Sequence, residues 1–105
     1  MATLDHPDLE DLDLVTVLQA LGDPVRLEIV RQIAASGERA CGTFDLGISK
    51  ATRSHHLRLL REAGVTRTVP EGTRRIVSLR EEDLEARFPG LLSSVLAGAP
   101  PVVSR

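Results

Sequence analysis

The segment between Ser49 and Leu79 constrains the fold most strongly, because it joins a two-faced helix directly to a β-hairpin. Ser49 is a suitable N-cap, and the helix that it starts is expected to run to Ala63, where Gly64 supplies a left-handed stop. Two β-type runs then flank a Pro/Gly turn at 70–73, which predicts a hairpin. The runs are 65–69 and 76–79.

The predicted helix has a cationic face and an aliphatic face when it is wound at 100° per residue. The cationic face holds Lys50, Ala51, Ser54, Arg58 and Arg61, with His55 at its edge. The opposite face holds Thr52, His56, Leu59, Leu60 and Ala63, so His56 is expected to be a partly buried structural histidine. Such a helix can pack on its own core and still enter a DNA major groove. A solvated basic face explains the helix alone almost as well.

The hairpin favours the nucleic-acid interpretation. Arg74 and Arg75 directly follow the turn residue Thr73, and Arg67 is expected to lie across from them. Arginines at the tip of a hairpin are typical of contacts with phosphates or the minor groove. The combination of basic helix and basic hairpin therefore predicts a nucleic-acid surface.

Charge is distributed very unevenly along the chain, although the net charge is only −2. Residues 1–14 carry five acidic side chains and no Lys or Arg. Residues 49–80 carry eight cationic side chains against two acidic ones, a net charge of +6. Because local charge steers a polyanion, the basic middle segment is the expected contact surface.

The remaining segments read as helices around an aliphatic core. A first amphipathic helix is predicted over 8–21, and a core helix from Pro24 to about residue 35, with Asp23 as its cap. At most one or two helical turns are expected in 38–47. A stripe of apolar residues predicts a last helix over 80–97, broken at Pro89-Gly90.

These elements predict one domain over residues 1–105, mainly α (α+β), with five to six helices and a two-stranded β-hairpin wing. Residues 98–105 read as a frayed tail. The single Cys41 excludes an internal disulfide. With no signal peptide or apolar span, the chain is expected to be cytoplasmic and free of membrane contact. No phosphate loop or catalytic triad pattern is present, so no enzymatic activity is expected.

Three motifs make the sequence similar to the ArsR/SmtB family of winged helix-turn-helix regulators. They are 20–30 (ALGDPVRLEIV), 47–65 (GISKATRSHHLRLLREAGV) and 71–75 (EGTRR). The resemblance implies a homodimer, paired through its first and last helices (1–21 and 80–97), on an inverted-repeat operator in double-stranded DNA. It also implies repression that an inducer relieves, and it places the positions matching Lys50, Ala51, Ser54 and His55 against DNA.

Two groups of residues follow as candidates. The predicted DNA contacts are Ser49, Lys50, Ala51, Arg53, Ser54, His55, Arg58, Arg61, Arg67, Thr73, Arg74 and Arg75. The predicted pairing residues are Leu9, Leu12, Val15, Leu84, Phe88, Leu91, Leu92 and Val95. Arg53 departs from an apolar position frequent in the family, and its guanidinium is expected to reach outward to a phosphate.

The effector stays open at this point. The cysteine pair of one metal-sensing type is absent apart from Cys41, and residues 80–97 hold no histidine for the other type. Nickel or zinc bound by His6, Asp5 or Cys41 is one alternative, and a small effector is another. Cys41 reads as an idle thiol or as a redox sensor activated by Arg39.

A function of another class is a winged-helix module that binds a partner protein rather than specific DNA. In that case the apolar helices would serve pairing, and the basic face would be incidental. The steep salt dependence of phosphate contacts distinguishes the two functions.

Overall fold

The computed structural model describes residues 5–98 as five α-helices, two 3₁₀ turns and one antiparallel sheet. The α-helices are α1 (Leu14–Leu21), α2 (Pro24–Ser36), α3 (Lys50–Ala63), α4 (Glu81–Arg87) and α5 (Leu91–Gly98). The strands are β1 (Glu38–Ala40), β2 (Thr66–Glu71) and β3 (Arg74–Leu79), and the 3₁₀ turns span Leu9–Asp11 and Cys41–Thr43. The predicted mainly α, winged helix-turn-helix architecture is confirmed. Of the predicted tail, all but Gly98 lies outside the described residues.

The sheet has three strands in the order β1-β3-β2, one more than the predicted two-stranded wing. β2 and β3 form the hairpin, with Glu71 opposite Arg74 beside the turn. Pro70 faces Arg75 at a position where its missing N–H removes no ladder bond. β1 adds to the far edge of β3, so the hairpin is anchored to the body of the protein along its β3 side.

Local capping explains the start of α2 and both ends of α3. The Asp23 carboxylate accepts hydrogen bonds from the N–H groups of Val25 (2.8 Å) and Arg26 (3.1 Å). The Ser49 hydroxyl accepts one from the Thr52 N–H at 3.1 Å. Gly64 ends α3 in the left-handed conformation (φ 86°). All three signals were predicted from the sequence.

The predicted first helix over 8–21 is wrong as a single element. Leu12 is extended (φ −67°, ψ 126°) and only 2% exposed, which interrupts the helix after Asp11. Asp13 then caps a new helix by accepting a hydrogen bond from the Thr16 N–H at 3.0 Å. Burying Leu12 in the core therefore requires the bend, and Asp13 supplies the restart.

Residues 5–12, here called the N-terminal strap, lie against strand β2 of the hairpin and the start of α4. The imidazole Nε2 of His6 accepts a hydrogen bond from the Thr68 N–H at 3.0 Å. Pro7 O accepts one from the Arg80 guanidinium at 2.7 Å. These contacts hold the acidic beginning of the chain against β2 and the start of α4.

The core lies between the helices and the inner face of the sheet. Its fully buried members include Val17, Ile29, Val30, Ile33, Leu60, Val65, Val77 and Leu84. The C-terminal stripe is broken at Pro89-Gly90 as predicted, so that α4 ends at Arg87 and α5 begins at Leu91. Within the described residues, no helix has the length and apolarity needed to cross a bilayer.

Replacing Asp23 with alanine is expected to lower the free energy of unfolding by about 1 kcal/mol at pH 7, because α2 loses its cap. Partial burial pushes the pKa of Asp23 upward, but the hydrogen bonds from Arg26 and Val25 outweigh it and hold the pKa below its ordinary value. The stabilisation is therefore complete above about pH 4 and is lost as the pH falls through the folded-state pKa. Urea titrations of wild type and variant should show a difference in the free energy of unfolding that decreases at acidic pH.

The control for this prediction is Asp23→Asn, which keeps an acceptor oxygen and should retain most of the cap at pH 7. If the free energy of unfolding of wild type exceeded that of Asp23→Ala by the same amount at pH 7 and at about pH 3, the role given to the carboxylate would be contradicted.

Candidate nucleic-acid interface

A groove of about 770 Å³ separates α3 from the hairpin. Its lining residues are Ala40, Cys41, Gly42, Thr43, Lys50, Arg53, Ser54, Leu57, Arg58, Arg61, Thr68, Thr73, Arg74 and Arg75. Six of these side chains are cationic, and among the described residues that line it none is acidic. This concentration of positive charge in a concave surface attracts a polyanion in spite of the negative net charge.

One face of α3 forms a wall of the groove. Lys50, Arg53, Ser54, Leu57, Arg58 and Arg61 recur at helical spacing and therefore lie on the same side. Leu57 is 7% exposed and forms part of the floor, while Lys50, Ser54 and Arg58 are exposed. The Arg58 guanidinium lies 3.2 Å from the His55 imidazole. The predicted cationic face of the helix is thus turned toward the groove.

Arg61 carries a donor without a partner. Its Nε is shielded from solvent and has no hydrogen-bond acceptor among residues 5–98. A buried guanidinium N–H without an acceptor costs free energy.

The hairpin supplies the facing wall. Arg75 stands opposite Pro70 on the strand pair, and Thr73 and Arg74 lie at the tip. Arg74 is held by Glu71 at 3.2 Å, a pair in which both side chains are more than half exposed. Such an exposed pair contributes little to stability and can be exchanged for a phosphate.

A third wall was not predicted. It consists of Ala40 at the end of β1 and the 3₁₀ turn Cys41–Thr43 that follows it. The Arg39 guanidinium donates to Thr43 O and lies over the Phe44 ring, 5.3 Å from its centroid, which fixes this segment. A strand of three residues carries too little alternation to be detected in the sequence.

Four of the twelve predicted DNA contacts do not line the groove. Ser49 is the cap of α3, and the exposed Ala51 and His55 lie beside the groove. The expectation that Arg67 lies across from the turn arginines is wrong. Arg67 pairs with Ser78 near the base of the hairpin, and its guanidinium lies 3.6 Å from the Asp83 carboxylate.

Arg80 also differs from the expectation drawn from charge counting. It is 5% exposed and forms an ion pair with Asp83 at 3.0 Å, besides its hydrogen bond to the N-terminal strap. Arg80 is therefore a structural link between the hairpin base and α4, and it adds no charge to the groove.

Cys41 lines the groove, but it is not activated by Arg39. Burial raises the pKa of the Cys41 thiol, and the opposing effects come from Arg75, Arg53 and Arg61. The thiol is therefore protonated at neutral pH, which disfavours nucleophilic reaction with oxidants. Arg39 is not among the groups that lower this pKa, and redox sensing by Cys41 stays a hypothesis.

The three candidate metal ligands are not gathered into a site. His6 uses Nε2 to accept the Thr68 N–H, and Cys41 lies in the groove. In the described part of the chain, no three His, Cys, Asp or Glu side chains form a cluster that could hold a metal ion.

The predicted pairing residues fall into three groups by burial. Leu12, Leu84 and Leu92 are at most 9% exposed and belong to the core of the protomer, so they offer no surface to a partner. Phe88, Leu91 and Val95 are half-buried. Leu9 and Val15 are exposed, and two apolar neighbours on α1 that the prediction missed, Leu14 and Leu18, are exposed as well.

Comparisons with known proteins all find helix-turn-helix proteins or transcriptional regulators. A family model described as a helix-turn-helix domain matches residues 21–69. The chain is 39% identical to an uncharacterized HTH-type transcriptional regulator, YceK, of Bacillus subtilis over 82 residues, 75% of this chain and 82% of the relative. It is 34% identical to a cadmium resistance transcriptional regulatory protein, a CadC homolog, of Staphylococcus aureus over 70% of this chain and 63% of that protein.

Two solved structures show the same fold. One is an ArsR family transcriptional regulator, with a TM-score of 0.60 and 25% identity over 77% of this chain and 90% of that one. The other is a possible transcriptional regulator for arsenical resistance, with a TM-score of 0.56 and 27% identity over 81% of this chain and 97% of that one.

Proposed function

Because the chain belongs to the ArsR family of DNA-binding helix-turn-helix transcriptional regulators, we propose that it acts as a dimeric repressor on an inverted-repeat operator. In this arrangement α3 enters the major groove, and the hairpin tip lies over the neighbouring phosphates. The proposed function requires no catalysis.

The observation that carries the proposal is the groove with six cationic side chains and, among described residues, no acidic one. Its two cationic walls come from a helix face and a hairpin tip, the two elements that contact bases and backbone in winged helix-turn-helix proteins. A module that binds a partner protein has no need for this charge, so the geometry favours DNA over the interaction module.

The exposed apolar side chains of α1 support the dimer. Leu14, Val15 and Leu18 are 44%, 60% and 46% exposed, which is unfavourable in a lone protomer of this size. A second copy that packs against α1 would bury them. Two half-sites require that both copies of α3 lie on one side of this dimer.

The experiment that tests this function is fluorescence anisotropy on a duplex selected by the protein from a random-sequence pool, compared with random DNA at several salt concentrations. Selective binding, a steep salt slope and two chains per duplex by sedimentation are expected. Weak, unselective binding with a flat slope would overturn the proposal and favour a protein partner. Parallel series with nickel, zinc and peroxide test the candidate effectors.

Arg75→Ala is expected to weaken binding to selected and random DNA alike and to reduce the slope of log K against log salt by about 0.9, the value for one phosphate contact. The physical reason is that Arg75 lines the groove and, within residues 5–98, forms no ion pair that would compete with a phosphate. The measurement is the anisotropy series described above.

The matched control for Arg75→Ala is Arg67→Ala, which removes the same charge from the same hairpin outside the groove. Its salt slope should equal that of wild type, since Arg67 is directed to Asp83. Equal reductions in the two variants would show that the hairpin acts only through its total charge.

A further inference from the structure

Arg26 lies where three helices meet. It belongs to the first turn of α2, yet its side chain reaches the C-terminal end of α1. There its Nε donates to Ala20 O at 2.6 Å and its Nη2 donates to Gln19 O at 3.3 Å. Both carbonyls belong to the last turn of α1, where the helix dipole favours a cation.

The third contact of Arg26 is with α3. Its Nη1 lies 3.1 Å from Nδ1 of His56. A guanidinium has donors only, so Nδ1 must be the acceptor in this contact. His56 does not line the groove and is half-buried on the opposite side of the helix. The contact therefore holds α3 from behind, at the turn that presents Ser54 and Arg58 to the groove.

Beside this contact the surface has an open depression of about 190 Å³, lined by Thr16 of α1, Leu59 and Glu62 of α3, and Arg26 itself. Arg26 therefore lies at the margin where α1 and α3 meet, and its hydrogen bonds join the two helices there.

We propose that Arg26 is a positioning residue for DNA recognition, which fixes α3 relative to α1 through its contacts with the α1 carbonyls and His56. The inference rests on the proposed function, in which α1 pairs the two protomers. The separation and tilt of the two α3 helices then depend on how each α3 is held to its own α1. Two half-sites one helical turn apart can be bound together only if that geometry is fixed.

The test uses the duplex selected by wild type from a random pool and the same duplex with one half-site scrambled. Arg26→Lys keeps the charge, but a single ammonium cannot replace the planar fork that joins three acceptors. Binding to the intact duplex should fall about tenfold and binding to the half-site duplex less than about twofold. His56→Leu, which removes the acceptor, should show the same pattern.

Two further variants serve as matched controls. His56→Gln supplies an acceptor oxygen and should restore binding to the intact duplex to within about twofold of wild type. Arg31→Lys makes the same exchange on α2, where Arg31 pairs with Glu28 at the surface, and should leave binding to both duplexes unchanged. Circular dichroism confirms that every variant is folded at the assay temperature.

Equal losses on the two duplexes would assign Arg26 a general structural role and overturn the inference while the proposed function stands. Unchanged binding by Arg26→Lys would overturn it as well. If wild type selects no duplex with two half-sites, the proposed function fails, and the inference fails with it.

Discussion

Arg58→Glu is expected to weaken binding to double-stranded DNA about a hundredfold at about 0.15 M salt, the largest effect of any single change in the groove. Arg58 is exposed on the groove face of α3, between Ser54 and Arg61. Its replacement removes one phosphate contact and places a carboxylate against the backbone of the duplex. Anisotropy titrations at several salt concentrations measure both the loss and the reduced salt slope.

The control is Arg31→Glu, which changes the net charge equally but lies outside the groove, on α2. The like charge of Glu28 should cost only about 0.2–0.5 kcal/mol of stability. Its DNA affinity should stay within about threefold of wild type, because distant exposed charges are screened at this salt concentration. A loss as large as that of Arg58→Glu would show that binding depends on total charge rather than on the groove.

Gly64→Ala is expected to lower the free energy of unfolding by about 3 kcal/mol. Gly64 has φ +86°, where an L side chain is strained. A Cβ there would lie 2.1 Å from Cδ2 of the buried Leu12 and 3.2 Å from the Pro7 ring, so the N-terminal strap would have to move. Urea unfolding monitored by circular dichroism gives the value.

Gly72→Ala separates the free-energy cost of the positive φ from the cost of the steric clash. Gly72 also has a positive φ of 63°, but a Cβ there meets nothing within 4 Å. This variant should lose only about 1 kcal/mol, the cost of the backbone conformation. If Gly64→Ala were no less stable than Gly72→Ala, the close packing of Leu12 against the end of α3 would be wrong.

Local signals predicted the recognition elements well. Ser49 and Gly64 fix the ends of α3 through hydrogen bonds and backbone freedom within a few residues, so no tertiary knowledge is needed. The existence of the hairpin was predicted in the same way, although its turn is shorter than the predicted 70–73. Eight of the twelve predicted contacts line the groove, because helical spacing and proximity to the turn determine where they lie. Their contact with DNA stays a prediction.

Features that depend on distant partners were missed. Arg67 and Arg80 look like their basic neighbours in the sequence, but Asp83 and the Pro7 carbonyl turn them away from the groove. The hairpin turn is shorter than the predicted 70–73 loop, which lengthens both strands and places Arg67 opposite Ser78, far from the tip. Charge counting cannot distinguish these cases.

The break in the first helix was invisible for a different reason. The apolar spacing continues from Leu9 through Leu12 to Val15, so periodicity alone predicts one helix. Burial of Leu12 in the core favours the break in the helix, and the Asp13 cap lowers the free-energy cost of starting a new helix after it. The predicted pairing residues mixed core and surface positions for a similar reason. An apolar stripe in the sequence does not show which of its side chains face the protomer's own core.

The strap also bears on how the protein behaves when concentrated. β2 is one of the two outer strands of the sheet, and an outer strand with open N–H groups can template the addition of a strand from another molecule. Here the Thr68 N–H is already bonded to His6, and Pro70 has none to offer. The N-terminal strap therefore shields the β2 margin of the sheet from self-association, and shortening the chain to Asp13 would be expected to cost solubility before it cost DNA affinity.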